Sequence, residues 1–61
     1  MDPERKKTIN GHEVCEFYWA GKMVVYINHH LTPETFPAAC ERLASLKDGE
    51  DPLKLPEDHA A

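Results

Sequence analysis

Five of the six His and Cys side chains, which are of metal-ligand or nucleophile type, lie ahead of the acidic tail: His12, Cys15, His29, His30 and Cys40. His12-x-x-Cys15 and the pair His29-His30 offer nitrogen and sulfur ligands of the kind zinc takes. Structural zinc sites, however, draw four such ligands from paired, closely spaced motifs. Strand alternation weakens the set further. Cys15 and His29 fall on one side of a hairpin and Cys40 faces that side from a helix, while His12 and His30 fall on the other. At most three ligands converge, so no metal is expected. Cys15 or Cys40 with His29 would nominally supply a nucleophile and a base. Both thiols sit at packing positions, where they behave as small apolar groups and lose reactivity. There is no glycine-rich phosphate loop and no pair of carboxylates on a cleft-forming element. A 61-residue chain also has little room for a pocket of ordinary size. These features predict a non-enzyme without a cofactor.

The elements that would position these residues centre on His12 to His30, which holds the single Trp, both Tyr and one of the two Phe. Val14, Phe17, Tyr18, Trp19, Val24, Val25, Tyr26 and Ile27 are β-branched or aromatic, types that suit a pleated, half-buried surface. Ala20-Gly21-Lys22 interrupts the run, with Gly21 as the residue able to take positive φ. The length of that turn decides which side chains share a face, because a one-residue slip moves each of them across the sheet. A two-residue turn pairs Phe17 with Val24 and leaves neither face cleanly apolar. A three-residue turn gathers Cys15, Phe17, Trp19, Met23, Val25 and Ile27 on one side. Burial of the unbroken apolar face therefore predicts the three-residue turn. Val14, Tyr18, Val24 and Tyr26 then form an apolar band on the outer side, a candidate partner-binding surface of the kind contiguous exposed apolar patches mark.

Flanking signals extend this core. Asn10-Gly11 is a hairpin-turn dipeptide, and it would join an edge strand at about Arg5 to Ile9 to the strand that follows. Thr32-Pro33-Glu34 reads as a helix start, but Pro37 would then lie inside the helix, where its ring clashes with a preceding carbonyl. The regular helix is thus predicted from about Phe36 to Lys47, with Gly49 as a left-handed cap. Phe36, Ala39, Cys40, Leu43 and Leu46 form one apolar stripe at helical spacing. The expected fold class is α+β: an antiparallel β-hairpin or three-stranded meander packed on one C-terminal α-helix. Its expected core is Cys15, Phe17, Trp19, Met23, Val25, Ile27, Phe36, Cys40, Leu43 and Leu46. Residues 1–7 read as a flexible N-terminus, 8–48 as a single small domain and 49–61 as a disordered acidic tail.

Charge is unevenly placed. Up to Lys47 six acids cancel six bases, whereas from Asp48 five acids face Lys54 alone, which accounts for the net charge of −4. A neutral domain argues against a strong nucleic-acid footprint. The rival reading is nonetheless a small DNA-binding domain, since a small sheet backed by one C-terminal helix resembles the layout of AP2-type DNA-binding domains, which read the major groove with the sheet. Arg5, Lys6, Lys7 and Lys22 would supply its phosphate contacts. Two Cys make no disulfide framework, and neither a signal peptide nor a membrane-spanning run is visible, so a reducing cytoplasm is the expected setting. So small a domain usually needs a supplement to its core, and self-association is the one left open. The function expected is therefore that of a protein–protein interaction module, a homodimer or the binder of a host protein. Its size and acidity suit a bacterial or phage accessory or regulatory protein.

Overall fold

The computed structural model describes residues 2–55. Four antiparallel strands, β1 (Arg5–Ile9), β2 (His12–Trp19), β3 (Lys22–Ile27) and β4 (His30–Thr32), are followed by one helix, α1 (Phe36–Ala44). The strands pair in chain order β1-β2-β3-β4, and α1 covers one face of the sheet. The α+β class and the strand-to-helix order thus follow the sequence pattern, with β4 as an additional strand. Arg5 to Lys7, assigned above to a flexible terminus, belong to β1.

All three strand connections are two-residue turns. Asn10-Gly11, Ala20-Gly21 and Asn28-His29 have φ of 55° and 83°, 53° and 84°, and 49° and 70°. Positive φ at both central positions is the requirement of a type I′ turn, whose twist matches that of the strands it joins. Asn and His are among the side-chain-bearing residues most often found there. Ala20 is the exception, so Ala20→Asn is expected to raise stability by about 0.5–1 kcal/mol. A chemical-denaturation midpoint moved upward would show this; an unchanged or lowered midpoint would argue against a strained turn at that position.

The register corrects the turn predicted from face polarity. Trp19 pairs with Lys22, Phe17 with Val24 and Glu16 with Val25. Phe17 and Val25 therefore look to opposite sides of the sheet. The covered face carries Val14, Glu16, Val25, Ile27 and Thr32, and the open face carries Cys15, Phe17, Trp19, Val24, Tyr26 and Leu31. Two features make the less uniform face the buried one. Neighbouring tight turns hold β2 and β3 in step, with Asn28 N donating to Glu13 O (2.9 Å) and Glu13 N donating to Asn28 Oδ1 (3.1 Å). The carboxylate that seemed to forbid burial has a partner on the next strand: Arg5 Nε donates to Glu16 Oε1 at 2.7 Å, and the Glu16 side chain is only 7% exposed. The Arg5 guanidinium also lies 4.7 Å from the centroid of the Phe36 ring, a cation–π contact that ties β1 to the helix.

The core is Val14, Val25, Ile27, Phe36, Ala39 and Leu43, with Ile9, Cys40, Leu46 and Leu53 half-buried around it. Cys15, Phe17 and Trp19 leave the expected core for the open face. Met23 stays on the covered side but is exposed, as is Tyr18 beside it. Helix length explains this: nine residues span roughly 13 Å, while the eight of β2 span roughly 27 Å. The hairpin tip projects beyond the helix.

The helix begins where Pro37 allows. Thr35 is its N-cap, with Oγ1 accepting from Ala38 N at 3.3 Å, so Pro37 sits in the first turn and lacks no bond. It ends at Ala44, short of Lys47, because Asn10 caps it. Asn10 Nδ2 donates to Leu43 O (3.2 Å), which also accepts from Leu46 N, and to Leu46 O (2.8 Å) just beyond the last turn. Gly49 is left-handed as expected (φ 86°), but in a separate turn closed by Glu50 N donating to Lys47 O. Of the tail assigned to 49–61, residues 56–61 lie outside the described residues. Before them, Arg42 donates to the carbonyls of Pro52 and Lys54, and Leu53 packs on the core.

Candidate functional site

Strand alternation places a row of large apolar side chains on the side of the sheet without a helix. Phe17 and Tyr26, on adjacent strands, stack edge to face with ring centroids 5.7 Å apart. Such a pair adds to what area burial alone supplies. Cys15 and Val24 are half-buried beside them. Trp19 at the hairpin end is 58% exposed and Leu31 on β4 is 63% exposed. With Lys6, Glu13 and His29 at one end and Pro3 nearer the hairpin tip, these rings wall a shallow concavity of about 560 Å³. Its floor is apolar and one end is charged.

That charged end is internally paired. Lys6 Nζ lies 3.0 Å from Glu13 Oε2, and His29 Nε2 lies 3.3 Å from Oε1. The Lys6 ammonium holds the Glu13 carboxyl below the usual carboxylate range. Burial pushes the Cys15 thiol up, and the Glu13 charge adds to the effect. At neutral pH Cys15 is therefore a thiol, and thiols are poor nucleophiles and poor ligands. Cys15 and His29 do share a side of the sheet, as strand parity predicts, but it is the open side. Cys40, half-buried on the helix, lies beyond the sheet from Cys15, and both cysteines are free. His12 turns to Asn28, whose Nδ2 is 3.1 Å from His12 Nδ1. Among the described residues no three His, Cys, Asp or Glu side chains are gathered to hold a metal ion.

The surface predicted from Val14, Tyr18, Val24 and Tyr26 is divided by the register. Val14 is fully buried in the core, and Tyr18 lies on the helix side at the exposed tip. Val24 and Tyr26 remain together on the open face, joined there by Phe17, Trp19 and Leu31, which the predicted faces had hidden or left unassigned. β2 and β3 are both interior strands, so the central hairpin offers no free edge for strand addition. Of the four candidate phosphate contacts, Arg5 is engaged by Glu16 and Lys6 by Glu13, while Lys7 and Lys22 make no ion pair among the described residues. No helix among those residues is long and apolar enough to cross a membrane.

No protein-family model, curated protein or solved structure matches this chain.

Proposed function

We propose that the chain is a non-enzymatic protein–protein interaction module whose working surface is the sheet face opposite the helix. One observation carries the reading: Trp19 and Leu31 stand more than half exposed on the same face as Phe17, Val24 and Tyr26. Aromatic side chains gathered in one contiguous apolar patch are what interface centres are built from. The edges of the sheet are less suited to the role. β4 has three residues and β1 carries Arg5, Lys6 and Lys7, both features that discourage strand addition.

Cross-strand pairs that merely stiffen a solvated sheet would contribute roughly 0.2–1 kcal/mol each, and replacing them would lower stability without changing binding. The double variant Trp19→Ser, Leu31→Ser separates the two cases. As an interaction surface, the dilute wild-type chain is expected to bind a hydrophobic dye, and the variant to lose that signal while melting within a few degrees of wild type. Dye binding that survives the substitution, or a large drop in melting temperature, would overturn the reading.

A further inference from the structure

We infer that the occupant of the open face is a second copy of this chain, related by a two-fold axis that lies in the interface and runs across the strands. This rests on the open face being an interaction surface, and it names the partner. Three observations select self-association.

The first is the area the molecule can offer. It measures 33 × 29 × 16 Å. The open face of a four-stranded sheet whose longest strand has eight residues covers about 500 Å² of that broad side, so two such faces meeting bury about 1,000 Å² in all, the lower bound of a specific interface. The core beneath is thin, with six buried apolar side chains among the described residues. Domains of this size commonly gain stability from a partner copy.

Shape gives the second. The projecting group and the concavity are on one face: Trp19 stands at the hairpin end, and the hollow extends from it toward Glu13 and His29. A two-fold contact is self-complementary, so each Trp19 enters the partner copy's hollow and each hollow is filled. A foreign partner would need to supply a knob of its own and leave Trp19 to find another place.

Charge fixes the direction of the axis. Lys22 lies at the Trp19 end of the face and has no ion-pair partner among the described residues, whereas Glu13 lies at the other end of the same face. An axis along the strands would bring Lys22 against Lys22. An axis across them brings Lys22 of each copy to the end of the other where Glu13 lies between Lys6 and His29, so the two Lys22 ammonium groups are kept apart.

The single Trp makes the test direct. Sedimentation and Trp emission are recorded on the full chain from about 1 µM to about 500 µM, a range in which mass action moves a dimer of ordinary strength. The expected result is a mass of twice 7.0 kDa at the high end, with emission shifting to the red as the mass halves on dilution. Trp19→Glu is expected to weaken association about a hundredfold or more, as loss of a Trp seated in a partner's pocket does. Lys22→Glu should weaken it roughly two- to five-fold, as a rim charge does. A dimer unaffected by Trp19→Glu, or one whose emission ignores dilution, uses another surface and overturns the inference. A chain that is monomeric throughout also overturns it. If the monomer's face still binds dye through Trp19 and Leu31, the interaction surface stands and belongs to a foreign protein; if not, both readings fall together.

Discussion

Leu43→Ala is expected to remove a large share of the dilute chain's stability at 25 °C. Leu43 is fully buried in the last turn of α1, in one cluster with Val14 and Ile27 of the sheet. Replacing a buried Leu by Ala costs about 2–5 kcal/mol, because the lost transfer energy is joined by the cavity left behind. A chain of 61 residues has on the order of 3–9 kcal/mol of total stability, so this one change removes a large share of it. The site is also poorly able to collapse. The Leu43 carbonyl is held by Asn10, which fixes the helix end to the β1–β2 turn. Leu46→Ala, at a half-buried position, provides the comparison and should cost about 1 kcal/mol. Guanidinium titrations followed by circular dichroism would show it: a midpoint for Leu43→Ala close to wild type would mean the helix does not close the core as described.

The second large effect is expected from Arg42→Leu. Arg42 Nε and Nη2 donate to the two carboxylate oxygens of Glu34, each at 2.8 Å, and both side chains are only 12% exposed. This is a bidentate, charge-assisted pair, among the stronger hydrogen-bonded contacts available to side chains. Removing the guanidinium leaves the Glu34 carboxylate in a poorly hydrated place and releases the carbonyls of Pro52 and Lys54. The expected loss is about 2–4 kcal/mol, the range for breaking such a pair from one side. The same contact has a pH signature. Arg42 holds the Glu34 carboxyl below the usual carboxylate range. Its folded-state pKa is therefore depressed, so the stabilisation is complete above the ordinary carboxylate pKa. It is lost as pH falls through the depressed folded value. Urea midpoints measured from pH 7 down to about pH 3 should fall more steeply for wild type than for Glu34→Gln, which has no proton to take up there. Parallel curves for the two proteins would place the acid sensitivity elsewhere.

Composition and spacing made the elements legible but not their faces. The β-branched and aromatic density of residues 14–27 marked β2 and β3, and the Phe36-Ala39-Leu43 spacing marked the buried side of the helix. Pro37 marked where that helix must open. The register was not legible, because face polarity was weighed without Arg5. Glu16 looks like a solvent-facing residue until the neighbouring strand is seen to bring it a cation. Ala20 concealed the tight turn as well, since Ala seldom adopts positive φ. β4 was missed because three residues carry almost no periodicity. Asn28-His29 was the available sign: two residues tolerant of the left-handed region, directly after a strand. Asn10 was visible as a turn residue, whereas its hydrogen bonds to the helix end join positions more than thirty residues apart.

The candidate surface inherits these limits. Val24 and Tyr26 were placed on it from the sequence, and Phe17, Trp19 and Leu31 were not. Once Glu16 is accepted on the covered side, alternation assigns the remaining aromatics without further information.

Everything proposed for the open face depends on Ala20-Gly21 reversing the chain in two residues, and proton NMR of the folded chain tests that step most directly. Cross-strand Hα–Hα contacts should join Tyr18 with Met23 and Glu16 with Val25, the partners set by the two-residue turn. Contacts joining Phe17 with Val25, or Trp19 with Met23, would contradict it and return the aromatic face to the interior.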